Sequence, residues 1–109
     1  MTLTECTVTG NQGEGGGGIY NEWDATLTLT RSSVSNNRAG SGGGAGIYNR
    51  FGTVTLNESI VTGNESSNQR GGGILNDGGI LTLVGSRVER NQTGVHGGGI
   101  YYSAGARPT

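Results

Sequence analysis

One cysteine, one proline, one histidine and no lysine in 109 residues remove several classes of protein before any pattern is considered. Cys6 alone cannot build a disulfide framework, and with His96 as the single imidazole no zinc site can be assembled from the usual ligands. Charged residues make up only 14% and the net charge is -1. Binding to nucleic acid or to an anionic membrane surface needs a clustered excess of basic side chains, and the seven arginines are scattered. No nucleic-acid partner is expected. Nor is membrane insertion in this segment, because no run of about 18 apolar residues could span a bilayer. Met1 leads straight into an alternating segment in place of a basic and apolar signal sequence, so any export signal is expected outside this segment.

What the chain has in quantity is glycine, 24 residues of it. Such a composition by itself suggests a disordered tract, but periodicity overrides it. Met1-Thr-Leu-Thr-Glu-Cys-Thr-Val-Thr-Gly-Asn11 aligns with the segments starting at Leu27, Val54 and Leu81, which end at Asn37, Asn64 and Asn91. A second block follows in each copy: Gly17-Gly-Ile-Tyr-Asn21, Ala45-Gly-Ile-Tyr-Asn49, Gly72-Gly-Ile-Leu-Asn76 and Gly98-Gly-Ile-Tyr-Tyr102. A fixed period of this kind is the mark of a repeat architecture and governs the rest of the reading.

Within a copy apolar and polar residues alternate, as in Leu27, Leu29 and Val34, the period-two pattern of strands with one buried face. Threonine, valine, isoleucine and tyrosine suit a pleated surface, while Gly and Asn clusters supply corners. Each copy is therefore predicted to hold about three short strands. If every strand pairs with its own equivalent one lap on, the chain is a parallel solenoid rising about 4.8 Å per lap. Equivalent residues then stack in files. Met1/Leu27/Val54/Leu81, Leu3/Leu29/Leu56/Leu83, Val8/Val34/Val61/Val88 and Ile19/Ile47/Ile74/Ile100 make four apolar files. Cys6/Ser32/Ser59/Ser86 shares their parity, so Cys6 is expected to be a small buried residue and not a reactive thiol. Asn11/Asn37/Asn64/Asn91 is expected to close each valine strand with amides bonded up the stack and to the bent backbone. Asn57, Asn64 and Asn91 lie in Asn-x-Ser/Thr sequons, but corner packing of Asn64 and Asn91 would make those two matches accidental.

The pairing of Gly16-Gly-Gly-Ile19, Gly44-Ala-Gly-Ile47, Gly71-Gly-Gly-Ile74 and Gly97-Gly-Gly-Ile100 with Val8-Thr-Gly-Asn11, Val34-Ser-Asn-Asn37, Val61-Thr-Gly-Asn64 and Val88-Glu-Arg-Asn91 resembles the polymorphic outer membrane protein repeats. These lie within the pectate-lyase-like superfamily of right-handed β-helices. Valine stands here where that family's second block has phenylalanine. The resemblance implies an all-β, right-handed parallel β-helix of about four coils of 26–27 residues. It would be a single segment over 1–109, with repeats 1–26, 27–53, 54–80 and 81–109, forming part of a longer solenoid. It also implies a secreted or cell-surface location and an adhesive role.

Catalysis has little support in these residues. The superfamily's hydrolases carry an Asn-Thr-Asp triplet, a Gly-His-Gly and an Arg-Ile-Lys, none of which is present. Lyase chemistry needs carboxylates converging on calcium, whereas Asp24 and Asp77 fall at non-equivalent places. Glu5 and Glu58 share a file with Arg31 and Gly85, the pattern of a solvated surface. His96 has no partner to orient it as a base. No catalytic residue, cofactor site or metal site is assigned. The alternative is a partial or degraded polysaccharide lyase or hydrolase.

Outward files remain. Ile19 facing inward puts Tyr20 outward, so Tyr20, Tyr48, Leu75 and Tyr101 are predicted to form an exposed stripe, with Trp23 and Phe51 at the corner beyond. Rings on a rigid sheet can stack on sugar faces or anchor a protein at little entropic cost; the candidate ligand surface is Tyr20, Tyr48, Tyr101, Trp23 and Phe51. A glycan or a host or cell-surface protein is the expected partner. End-to-end self-association is expected as well, since bare strand edges recruit other chains.

Overall fold

The computed structural model describes residues 1–67, 71–93 and 98–103, all of it strands, corners and bends. The first lap contains β1 (Thr2–Thr4), β2 (Thr7–Thr9), β3 (Gln12–Gly15) and β4 (Ile19–Glu22). The second repeats them as β5 (Thr26–Thr30), β6 (Ser33–Ser35), β7 (Arg38–Gly43) and β8 (Ile47–Arg50). The third adds β9 (Thr53–Asn57), β10 (Ile60–Thr62), β11 (Glu65–Ser66) and β12 (Ile74–Asp77). In the fourth, the described residues supply β13 (Ile80–Val84), β14 (Arg87–Glu89) and β15 (Ile100–Ser103). The fold is thus a parallel β-solenoid of three complete laps and a partial fourth, slightly fewer than four full coils.

Each complete lap holds four strands, not three. The extra one is the glycine-rich segment after the asparagine corner, Gln12–Gly15 and its counterparts. Glycine has poor strand propensity. Here the backbone groups of the segment are paired lap to lap, as in Arg38 N–H to Asn11 carbonyl and Glu65 N–H to Asn37 carbonyl, and that pairing sets the local geometry. The strands lie in four parallel sheets, ordered β1-β5-β9-β13, β2-β6-β10-β14, β3-β7-β11 and β4-β8-β12-β15.

The predicted files are present. Leu3 pairs with Leu29, Leu29 with Leu56 and Leu56 with Leu83; Val8, Val34, Val61 and Val88 stack in the same way, as do Ile19, Ile47, Ile74 and Ile100. Leu27, Leu29, Val34, Ile47, Val54, Leu56, Val61 and Ile74 form the dry core, and Leu3, Val8, Ile19, Leu81, Val88 and Ile100 pack against it from the two outer laps. Residues with a lap on one side only are less covered. This explains why Met1 and Leu83 are exposed although their files point inward. It also corrects the expectation for Cys6. Its file is inward, with Ser32 and Ser59 buried, yet Cys6 sits in the outermost lap and is exposed.

Two polar ladders close the corners. Asn37 Oδ1 accepts from Asn11 N–H and Nδ2, Asn64 Oδ1 from Asn37, and Asn91 Oδ1 from Asn64, at 2.9–3.1 Å. Each inner amide also donates to the valine carbonyl of the previous lap: Asn37 to Val8, Asn64 to Val34 and Asn91 to Val61. Asn64 is fully buried, so it presents no glycan acceptor. The serine file works similarly, with the Ser32, Ser59 and Ser86 hydroxyls accepting N–H bonds from Cys6, Ser32 and Ser59.

Corners are made by left-handed backbone at equivalent sites. Glu5, Arg31, Glu58 and Gly85 have φ of 52°, 46°, 47° and 55°, and Gly16, Gly44 and Gly71 occupy another such file. Gly71 has no alternative: a Cβ there would stand 2.4 Å from the Ile74 carbonyl oxygen.

Candidate functional site

The sheet β4-β8-β12-β15 turns Ile19 and Asn21 inward and Tyr20 and Glu22 outward, because successive side chains in a strand face opposite ways. Its register sets Tyr20, Tyr48, Leu75 and Tyr101 in one file, and Glu22, Arg50, Asp77 and Ser103 in a parallel one. Tyr20 and Tyr48 stack with ring centroids 4.9 Å apart and planes at 27°, so the lap spacing itself brings the rings into contact. The Tyr20 hydroxyl donates to Glu22 Oε2 at 3.4 Å. Burial, with the Asp77 carboxylate next in importance, raises the Tyr48 phenol above its ordinary pKa. Hydrogen bonding and charge from Tyr20 raise the Arg50 guanidinium. The two rings are thereby tied to the charged file beside them.

The stripe is less continuous and less exposed than its alternation implies. Tyr20 is 43% exposed and Trp23 38%, but Phe51 is only 6% exposed. Phe51 lies in the corner with the Trp23 ring tilted 33° against it, centroids 4.5 Å apart, so it supports Trp23 and offers no face of its own. Leu75 is buried, at 1%, a short side chain sunk between the Tyr48 and Tyr101 rungs. Tyr101 is half-buried and Tyr102, whose file is otherwise asparagine, is exposed. The structure therefore brings together Tyr20 with Tyr48 and Trp23 with Phe51, and separates Tyr101 from the first pair by one aliphatic rung. His96 lies outside the described residues.

A buried support under the stripe escaped the sequence reading. Asn21 Nδ2 donates to Asn49 Oδ1 at 2.9 Å and Asn49 Nδ2 to Asn76 Oδ1 at 2.7 Å. The same amides tie the next corner through the Ala25, Gly52 and Gly79 carbonyls. The repeated asparagine two residues after each isoleucine was the available signal. Its inward parity marks it as core.

Across the glycine corner lies a groove of about 570 Å³, lined by Gln12, Glu14, Arg38, Gly40, Glu65 and Ser67. Arg38 Nε stands 3.6 Å from Glu65 Oε1 in its middle. A smaller hollow of about 320 Å³ shares Arg38 and Glu65. Among the described residues no group of three or more His, Cys, Asp or Glu could hold a metal ion, and no helix is long and apolar enough to cross a membrane.

Residues 5–22 match the Chlamydia polymorphic membrane protein repeat. The chain is a β-helix repeat resembling those repeats. The matched span runs from the left-handed corner at Glu5 through β2 and β3 to the end of β4, and it contains both Val8-Thr-Gly-Asn11 and Gly16-Gly-Gly-Ile19. The later laps of this β-helix repeat the same elements in register. No curated protein and no solved structure matches the chain.

Proposed function

We propose that the chain is a non-enzymatic structural and adhesive module of a secreted or cell-surface protein, and that the Tyr20–Tyr48 face receives a glycan. The likeness of residues 5–22 to a membrane-protein repeat supports the surface setting. The 4.9 Å stack of Tyr20 on Tyr48 carries the binding proposal. The two rings are held by the lap spacing and by the Glu22, Arg50 and Asp77 file, so little side-chain entropy is lost when a flat sugar face settles on them. Trp23, propped by Phe51, extends the apolar area at the corner.

The test is a glycan array and a cell-binding assay with the intact chain, compared with Tyr20→Ser and Tyr48→Ser. Glycan binding lost in both tyrosine variants and retained in Thr55→Ser, on a different sheet, supports the proposal. Unchanged binding in the tyrosine variants refutes the site. Cell binding that survives periodate oxidation of surface sugars refutes the glycan and points to a protein partner.

A further inference from the structure

The groove outside β3, β7 and β11 has no part in the core, yet the glycine corner joins it to the tyrosine file. Gly15 lies directly beneath the Tyr48 ring: a Cβ there would stand 3.0 Å from Cδ2 and 3.2 Å from Cε2. Tyr48 rises from the outer face of β8, while Gly15 ends β3 in the neighbouring sheet. A side chain on one outer face can touch the next sheet's backbone only where the surface folds inward between them. The two sheets therefore meet in a re-entrant angle. Tyr20 and Tyr48 form one wall, the strand segment carrying Glu14 the other, and glycine the floor.

Close approach in that floor requires glycine. A Cβ on Gly42 would stand 2.7 Å from the Glu14 carbonyl oxygen and 2.8 Å from Gly15 Cα, and the pairing of β3 with β7 shifts register between Gly13 and Gly15. Beyond it two outward files run parallel to the solenoid axis. Gln12, Arg38 and Glu65 form one, by direct register. Glu14, Gly40 and Ser67 flank it, with Glu14 Oε2 3.0 Å from where a Gly40 Cβ would be. Small residues beside long polar ones produce the trough.

The chemistry of the combined cleft selects its ligand. Among the described residues, carboxylates come from Glu14 and Glu65 in the groove and from Glu22 and Asp77 beside the tyrosines, and guanidinium groups from Arg38 and Arg50. The summed charge of these described groups is negative, which disfavours uronates, sialylated chains and phosphates. Amide, hydroxyl, carboxylate and guanidinium groups together offer both acceptors and donors to sugar hydroxyls. The groove spans three laps, roughly 10 Å at the usual strand spacing, room for a short run of pyranose units. We infer that this groove and the tyrosine wall form one cleft for a neutral oligosaccharide laid along the solenoid axis. The inference rests on the glycan-binding reading of Tyr20 and Tyr48, to which it adds a second wall and a charge selectivity.

Calorimetric titration of the intact chain with cellohexaose, mannohexaose, N-acetylchitohexaose and hexagalacturonate tests it. At least one neutral hexasaccharide should bind, and hexagalacturonate at least tenfold more weakly. Arg38→Ala and Glu14→Ala, both on exposed side chains, should each weaken the neutral ligand about tenfold, with circular dichroism and thermal unfolding unchanged. Tyr48→Ser should weaken it too. Loss with Tyr48→Ser but not with Arg38→Ala or Glu14→Ala overturns the groove and leaves the tyrosine site standing. Preferential binding of hexagalacturonate overturns the charge argument. Failure of every neutral hexasaccharide overturns this inference, and the glycan array then decides the broader reading independently.

Discussion

Replacing Asn64 by alanine should cost far more than the same change at Asn11, although the two occupy equivalent places in the sequence repeat. The Asn64 side chain takes part in four hydrogen bonds. Its Nδ2 donates to Val34 and Asn91, and its Oδ1 accepts from the N–H and the Nδ2 of Asn37. After truncation the Asn37 Nδ2 keeps Val8 and Asn91 Oδ1 keeps the Asn64 N–H, but the buried Asn37 N–H loses the partner that held it. An orphaned buried donor costs about 1–3 kcal/mol and each of the three other lost bonds about 0.5–1.5 kcal/mol, giving roughly 2.5–7.5 kcal/mol. That is a large share of the stability of a small domain. Asn11 is exposed, and its Nδ2 donates to Thr9 and to an Asn37 Oδ1 that keeps the Asn11 N–H, so Asn11→Ala should cost about 1 kcal/mol or less. Urea unfolding followed by circular dichroism measures both. Similar losses in the two variants, or a loss under about 1 kcal/mol at Asn64, would refute the ladder as a source of stability.

Two further perturbations follow from the same geometry. Gly71→Ala drives a Cβ to within 2.4 Å of the Ile74 carbonyl at a φ of 57°, and should destabilise the fold severely, whereas Gly10→Ala, with open space around it, should cost only the roughly 1–2 kcal/mol of left-handed strain; equal effects would contradict the close packing of laps. The Tyr48 phenol is raised by burial and by Asp77, so the fold holds its proton more tightly than the unfolded chain does. Its contribution to stability is full below the unfolded pKa, near 10, and fades as pH climbs through the folded value. Absorbance at 295 nm, taken as the difference between the chain and Tyr48→Phe, should show a phenol ionising above the ordinary value, with Asp77→Asn bringing it part of the way back. A titration at or below the ordinary value would remove Tyr48 from its half-buried place beside Asp77.

The files of the core were legible because period, parity and chemistry all repeated: Leu29, Leu56 and Leu83 could be aligned without knowing any angle. What escaped had no chemical signature of its own. Gln12–Gly15 and Arg38–Gly43 read as corners, since glycine carries no strand preference, yet lap-to-lap backbone pairing makes them strands. Glu5, Arg31 and Glu58 read as a solvated charge file, and their exposure fits that reading. Their left-handed backbone was hinted at only by Gly85 in the same file. For the candidate site, alternation gave the direction of Tyr20 and Tyr48 correctly but not the depth at which Leu75 and Phe51 sit. Depth depends on what covers a residue from the next lap and the next corner, and strand parity carries no record of that. Cys6 shows the same limit: its file was assigned correctly, but its burial depended on a neighbouring lap on both sides.

The asparagine ladder has a direction: the Asn64 side-chain oxygen receives from the lap before it, and the Asn37 and Asn64 amides hand their protons to the lap after or back to the lap before. Such a chain of dipoles is indifferent to its own length but not to its phase. Excising one whole lap of 27 residues between Asn37 and Asn64 would rejoin donor to acceptor and leucine to leucine but set Tyr20 against Leu75, whereas duplicating it would set Tyr48 against its own copy. A deletion of an odd number of residues inside a strand would reverse the inside and outside of the residues beyond it in that strand. Length is therefore the quantity this architecture can vary most cheaply, in steps of a single turn, and a cleft that runs along the axis would lengthen or shorten in the same steps.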